Sequence, residues 1–156
     1  MSRTTPATLA LDAAGVAYRL ATYDYDPNAE RVGLQAAEAL GAPPSEVLKT
    51  LMVRADGKPA CVVLASDREV SMKKLAAALG AKSAEMMKPA DAERMTGYRV
   101  GGVSPFGQKR AVPTVIDADA AALPEAFVNA GQRGLQARLA PADLVRVLGA
   151  AVARIS

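Results

Sequence analysis

The sequence predicts an α+β fold in which helices and strands interleave around a mixed sheet. Three observations carry that expectation. Candidate helices and strands alternate irregularly, without the steady βα repeat of a doubly wound parallel sheet. Two apolar runs, residues 47–53 and 59–65, flank the turn-forming Ala55-Asp56-Gly57-Lys58, so at least one antiparallel hairpin is expected. No repeat and no Gly-, Ser- or Pro-rich linker divides the 156 residues, so 1–156 are expected to form a single domain with one core.

The elements follow from local chemistry. Thr5 and Pro6 suit an N-cap and a first helical position, and Gly15 suits the stop. A strand is expected over 18–23. Leu34, Ala37 and Leu40 recur at helical spacing, and Gly41 with Pro43-Pro44 ends that helix. The hairpin over 47–65 comes next. Ser71 can cap a helix carrying Met72, Leu75, Ala76 and Leu79 on one face, with Gly80 as its stop. Residues 89–95 read as a short helix. Later strands are expected at 114–116, 126–129 and 135–139, and Pro141 opens a last helix with Leu144, Val145 and Leu148 on one side.

Composition narrows the class. At 51% hydrophobic and 22% charged residues the chain is an ordered globule, and at 4% aromatic its core must be aliphatic. No apolar run approaches the roughly 18 residues of a membrane span. The first residues lack the apolar core of a secretory signal. The lone Cys61 cannot form an internal disulfide, which suits the cytoplasm. The net charge of +3 is compatible with an RNA partner and equally with none.

The chain has no histidine, so its chemistry must proceed without the commonest general base. Residues 96–110 pack four glycines, a proline and three cations into fifteen positions. That mix reads as a shaped loop whose backbone amides approach a ligand, or as an ordinary wide turn. Neither a Walker A ending nor a GxGxxG after a strand is present. Lys49 lies in an apolar run, on the strand face shared by Val47, Leu51 and Val53. It is either an ammonium held for a substrate's anionic or carbonyl group, or a strand-edge lysine reaching water. Lys109, Arg110 and Arg133 are candidates for phosphate contact or for plain surface. Tyr23 and Tyr25 can bind a ligand hydroxyl, stack on a base, or simply end a strand. Asp117 and Asp119 lack a third metal ligand nearby, and Cys61 sits in an apolar run as an inert core residue.

Taken together, these segments resemble the YbaK/EbsC family of aminoacyl-tRNA deacylases, and within it the Cys-tRNA(Pro) deacylases. The family also includes the editing domain of bacterial prolyl-tRNA synthetases. The specific pair is Lys49 within Leu48-Lys49-Thr50-Leu51 and the later Gly101-Gly102-Val103-Ser104-Pro105. Thr22-Tyr23, Thr96-Gly97-Tyr98, Gly107-Gln108-Lys109 and Arg133-Gly134-Leu135 extend the likeness over nearly the whole chain. The resemblance implies a mixed, largely antiparallel, barrel-like sheet flanked by helices. It implies trans-editing, in which a second site hydrolyses an error that a small synthetase pocket cannot reject. It implies that the thiol of a mischarged cysteine attacks its own ester, so that no enzymic nucleophile, metal or cofactor is called for. By position, Lys49 and Gly101 are the expected catalytic residues. Tyr23, Gly102, Ser104, Pro105, Asn129 and Gln136 are expected around the substrate, and Lys109, Arg110 and Arg133 on the tRNA. The implied partners are the aminoacylated tRNA 3′ end and a ternary complex with prolyl-tRNA synthetase. Cysteine-specific relatives carry serine and aspartate where this chain has Asn129 and Gln136. Alanine or serine is therefore an alternative substrate, and a non-catalytic module binding charged tRNA or its synthetase is an alternative function.

Overall fold

Local caps set where the elements begin. In the computed structural model, which describes residues 4–28 and 31–156, α1 (Pro6–Ala13) starts behind Thr5. The Thr5 hydroxyl accepts from Thr8 N, and the Thr8 hydroxyl accepts from Thr5 N. This reciprocal cap with Pro6 at the first position is the start the sequence announces. Thr5 also donates to Ala130 O at 2.6 Å, fastening the helix across the core. α2 (Val32–Leu40) ends at Gly41 as expected, and a single 3-10 turn (Pro44–Glu46) leads into the first long strand.

β2 (Leu48–Ala55) and β3 (Lys58–Ala65) pair antiparallel from Leu48 against Ala65 to Ala55 against Lys58. Asp56 and Gly57 at the tip have φ of 50° and 80°, as a two-residue type I′ turn requires. The short β4 (Ala84–Met86) pairs only with the end of β2, Val53 to Ala55. On the far side, β5 (Thr114–Asp117) and β8 (Ala151–Ala153) add to β3 in parallel. A second sheet holds β1 (Arg19–Thr22), β6 (Ala126–Gln132) and β7 (Leu135–Leu139), antiparallel in the order β1-β7-β6. The two sheets touch through one parallel bridge, Val47 to Phe127. The mixed, largely antiparallel arrangement is as expected, but it stays as two open sheets and does not close into a barrel.

Alternation along β2 divides its side chains between two cores. Leu48 and Met52 join Cys61, Val63 and Ile116 in the larger one. Val53 and the half-buried Leu51 pack with Val62 and Leu64 against Leu75 of α3 (Met72–Ala78). Each such fully buried aliphatic side chain contributes about 1.5–3 kcal/mol. Lys49 falls on the face of Leu51 and Val53, and Thr50 on that of Leu48 and Met52. Ser71 caps α3 by accepting from Lys74 N, as its sequence suggests. α4 (Pro89–Thr96) leads into the glycine-rich loop, and α6 (Pro141–Leu148) follows β7. Sequence reasoning passes over β4, β8 and α5 (Ala118–Ala121). Each is three or four residues long, with too little pattern to recognise. The strand expected at 126–129 continues to Gln132 through a register shift after Asn129. Among the described residues no helix is long and apolar enough to cross a membrane.

Candidate active site

Beyond the Val47–Phe127 bridge the two sheets part, and a cavity of about 360 Å³ opens along the edge of β2. Because β4 covers only the end of β2, the edge from Leu48 to Met52 has no neighbouring strand among the described residues. Met52 O accepts from Met87 N on that side. By the two-residue period of a strand, the main-chain groups of Leu48 and Thr50 open on the same edge. The lining is mostly apolar, with methionines 86 and 87 and α4 closing one side.

Lys49 reaches the cavity from this edge, half-buried. Burial is the main force lowering its pKa, and Arg31 acts the same way, against an opposing pull from Glu69 and Asp67. Among the described residues its ammonium makes no ion pair. Glu69 instead pairs with Arg31 at 4.0 Å, both exposed at the cavity's rim. The arrangement is a partly desolvated cation facing an apolar chamber, ready for a developing negative charge.

The glycine loop forms the opposite wall, and it is pinned on every side. Lys109 N donates to Thr96 O at 2.9 Å across its base. The buried Tyr98 hydroxyl donates to Phe106 O at 2.6 Å, and burial pushes that phenol up to about 12. Val100 N donates to Glu93 Oε2, and Gly102 N to Arg99 O, both at 2.8 Å. Ser104 is fully buried; its hydroxyl accepts from Phe106 N and its carbonyl from the Gln108 amide. Close packing explains the double glycine. A Cβ on Gly101, at φ +91°, would lie 2.5 Å from the Tyr25 hydroxyl, and one on Gly102 would lie 2.8 Å from Arg133 N. Among the described residues nothing accepts from the N–H groups of Gly101 and Val103, and both residues line the cavity.

The β6–β7 hairpin holds this loop in place. Asn129 Oδ1 accepts from Gly131 N at 2.7 Å, while its Nδ2 donates to Gly101 O at 3.3 Å. One carboxamide therefore shapes the strand irregularity and ties it to the loop. Arg133 Nε donates to Val100 O at 2.8 Å, and its guanidinium stacks 5.0 Å from the centre of the Tyr25 ring. Gln136 on β7 is buried and lines the cavity with Tyr23. Burial raises the Tyr23 pKa; the Gln136 side chain and a backbone contact to Gly134 lower it, and Tyr25 raises it further.

Of the residues singled out in the sequence, Lys49, Gly101, Tyr23, Asn129 and Gln136 come together around this one cavity. Gly102, Ser104 and Pro105 lie buried behind it, within the loop's own framework. Lys109 and Arg110 are exposed beyond the loop's base, away from the lining. Arg133 borders a second, polar groove behind Tyr23, with Thr22, Asp24 and Gln35. Sequence reasoning missed Thr50, Arg31 and Glu69; only their placement at an open edge and rim marks them. The other candidates have structural roles. Cys61 is fully buried, with its thiol pushed up to about 12, chiefly by burial. Asp117 accepts from Ile155 N and the Ser156 hydroxyl, and Asp119 pairs with Arg68 and Arg154.

A cation and unengaged amide donors around an apolar chamber suit stabilisation of an oxyanion at an acyl centre. Comparison with known proteins points the same way. Residues 26–147 match the family model described as the aminoacyl-tRNA editing domain. A protein of Enterococcus faecalis named "Putative Cys-tRNA(Pro)/Cys-tRNA(Cys) deacylase EbsC" is 36% identical over 121 residues, 77% of this chain and 74% of that one. A proline–tRNA ligase of Acidithiobacillus ferrooxidans is 33% identical over 87 residues, 56% of this chain but 15% of the ligase. The crystal structure of "a putative trans-editing enzyme for prolyl tRNA synthetase" has the same fold, with a TM-score of 0.84 over 99% of both chains at 23% identity. By its matched residues, its EbsC relative and its fold, this chain belongs to the family of aminoacyl-tRNA editing domains.

Proposed function

We propose that the protein is a trans-editing deacylase that frees a small, wrongly attached amino acid from tRNA(Pro) in the cytoplasm. The observation that carries this reading is the meeting of Lys49 with Gly101 and Val103 around one cavity. The ammonium and the two free amides would receive the charge that develops on the ester carbonyl oxygen. Tyr23 would face the terminal ribose, and the groove it shares with Arg133, whose guanidinium stacks on Tyr25, would receive the preceding nucleotides. The cysteinyl ester is the substrate named for the EbsC relative. With that ester the substrate's thiol would attack its own carbonyl carbon. The C–O bond to the ribose would break, the thiol proton would pass to the leaving oxygen, and a thiolactone would form. With other side chains, a water molecule would have to attack the carbonyl carbon, with the terminal 2′-hydroxyl able to accept or relay its proton. Prolyl-tRNA synthetase would present the tRNA in a ternary complex, since some relatives of this chain are segments of proline–tRNA ligases.

The test is release of radiolabelled amino acid from cysteinyl-, alanyl- and seryl-tRNA(Pro), with prolyl-tRNA(Pro) as control. Faster release from at least one misacylated tRNA, with the prolyl ester spared, supports the reading. Binding of all four without release would make the protein a non-catalytic aminoacyl-tRNA module instead.

A further inference from the structure

Two residues that line the cavity each carry a buried polar atom with no hydrogen-bond partner among the described residues: Thr50 Oγ1 on β2 and Gln136 Oε1 on β7. Gln136 as a residue is only 4% exposed. A buried, unsatisfied polar atom costs about 1–3 kcal/mol, so a site that keeps two has a use for them. The Gln136 side chain acts on the Tyr23 phenol and lowers its pKa, and among the described residues its amide oxygen has no partner.

We infer that Gln136 and Thr50 read a hydroxyl on the substrate's side chain, making serine the preferred aminoacyl group over alanine and cysteine. The inference rests on the deacylase reading above and sharpens its substrate class. An amide oxygen is an acceptor and wants a donor. A serine hydroxyl donates strongly and can also accept from Thr50. A thiol is a weak donor, and the thiolate that would attack its own ester is repelled by the amide oxygen's partial negative charge. Alanine would leave both wall atoms unpaired. A site built to bond a hydroxyl discriminates far more strongly against its absence than an apolar pocket does against its presence. The substrate's α-ammonium has other acceptors, the main-chain carbonyls of Leu48 and Thr50 on the open edge of β2. For a seryl ester the step is hydrolysis. Water adds to the carbonyl carbon, the bond to the ribose oxygen breaks, that oxygen takes a proton, and free serine leaves.

The experiment measures kcat/KM for seryl-, alanyl- and cysteinyl-tRNA(Pro) with the wild-type chain, Gln136→Leu and Thr50→Val. In the wild type, serine should exceed each of the others by about a hundredfold. Gln136→Leu should slow serine release far more than release of the other two, shrinking the serine-to-alanine ratio at least tenfold, and Thr50→Val should shrink it less. Removing an unpaired acceptor should leave the melting temperature of Gln136→Leu unchanged or raised. Alanine or cysteine release as fast as serine by the wild type overturns the inference and leaves the deacylase reading standing. Equal slowing of all three substrates in Gln136→Leu also overturns it, by assigning the amide to a part they share. No release from any of the three by the wild type would instead overturn the deacylase reading.

Discussion

The two walls of the cavity use their polar groups in opposite ways. On the glycine-loop side nearly every donor and acceptor is engaged with the protein: Val100 N with Glu93, Gly102 N with Arg99 O, Ser104 with Phe106 and Gln108. On the β2 and β7 side, Lys49 makes no ion pair among the described residues, and Thr50 Oγ1 and Gln136 Oε1 have no partner. One wall is a rigid frame that presents two amides, and the other holds chemistry in reserve. Pre-organised donors cost no rearrangement when charge develops, which is why the frame is rigid. Lys49 and Thr50 lie where β4 leaves the edge of β2 uncovered among the described residues, whereas Gln136 comes from the central strand of the other sheet.

The comparison breaks most severely at Lys49. Lys49→Met keeps most of the length of the side chain and removes its charge. Deacylation should fall about a hundredfold, ~2.7 kcal/mol, while the melting temperature holds or rises, because a half-buried ammonium is replaced by an apolar group. Single-turnover rates and thermal melts on the same preparations check both halves. On the frame side, Gly102→Ala should cost about tenfold in rate and also lower stability, since its new methyl meets the backbone of Gln132 and Arg133. Gly101→Ala meets the end of the Tyr25 side chain and is also strained at φ +91°, so Tyr25→Ala should restore only the part of its loss due to the clash. If Gly102→Ala were as stable and active as the wild type, the frame would not be rigid.

Asn129 joins the two walls and sharpens the distinction between them. Asn129→Asp keeps an acceptor for Gly131 N but places a carboxylate against Gly101 O, where an amide donated before. The rate should fall severalfold at neutral pH and recover relative to wild type as the pH falls and the carboxyl regains a proton to donate. The ordinary aspartate value is about 3.9, so a ratio of variant to wild-type rates that stays flat from about pH 3.5 to about 8 would deny Asn129 this link. The smallest effect is on stability. Burial lowers the Lys49 pKa in the folded chain, so the unfolded chain binds more protons between that value and the ordinary 10.5. Its penalty is full at neutral pH and relieved as pH rises through this alkaline window. Stability of the wild type relative to Lys49→Met should therefore climb there, and a constant difference in denaturant melts would contradict it.

What could be read in the sequence follows the reach of each interaction. The Thr5 cap and the Asp56-Gly57 hairpin are settled by neighbours a few residues apart, so they were legible. The three-residue strands β4 and β8 are made by tertiary pairing and are too short to carry a pattern of their own. The pairing of Lys49 with Gly101 spans the whole fold. It came from resemblance to a family, because strand alternation gave only Lys49's face. Ser104 and Pro105 belong to the same motif, yet they hold the loop from behind, a distinction that only packing reveals. The role of Asn129 and the idle atoms of Thr50 and Gln136 depend on which partners lie within about 3 Å, a matter of register that no local spacing encodes.

The most direct test of the central claim is a crystal structure with a non-hydrolysable 3′-aminoacylamido-adenosine. The acyl carbonyl should lie in the cavity between Lys49 Nζ and the amides of Gly101 and Val103, within hydrogen-bonding distance of both walls. An analogue bound with its carbonyl outside that cavity, with Lys49 turned to solvent, would contradict the account.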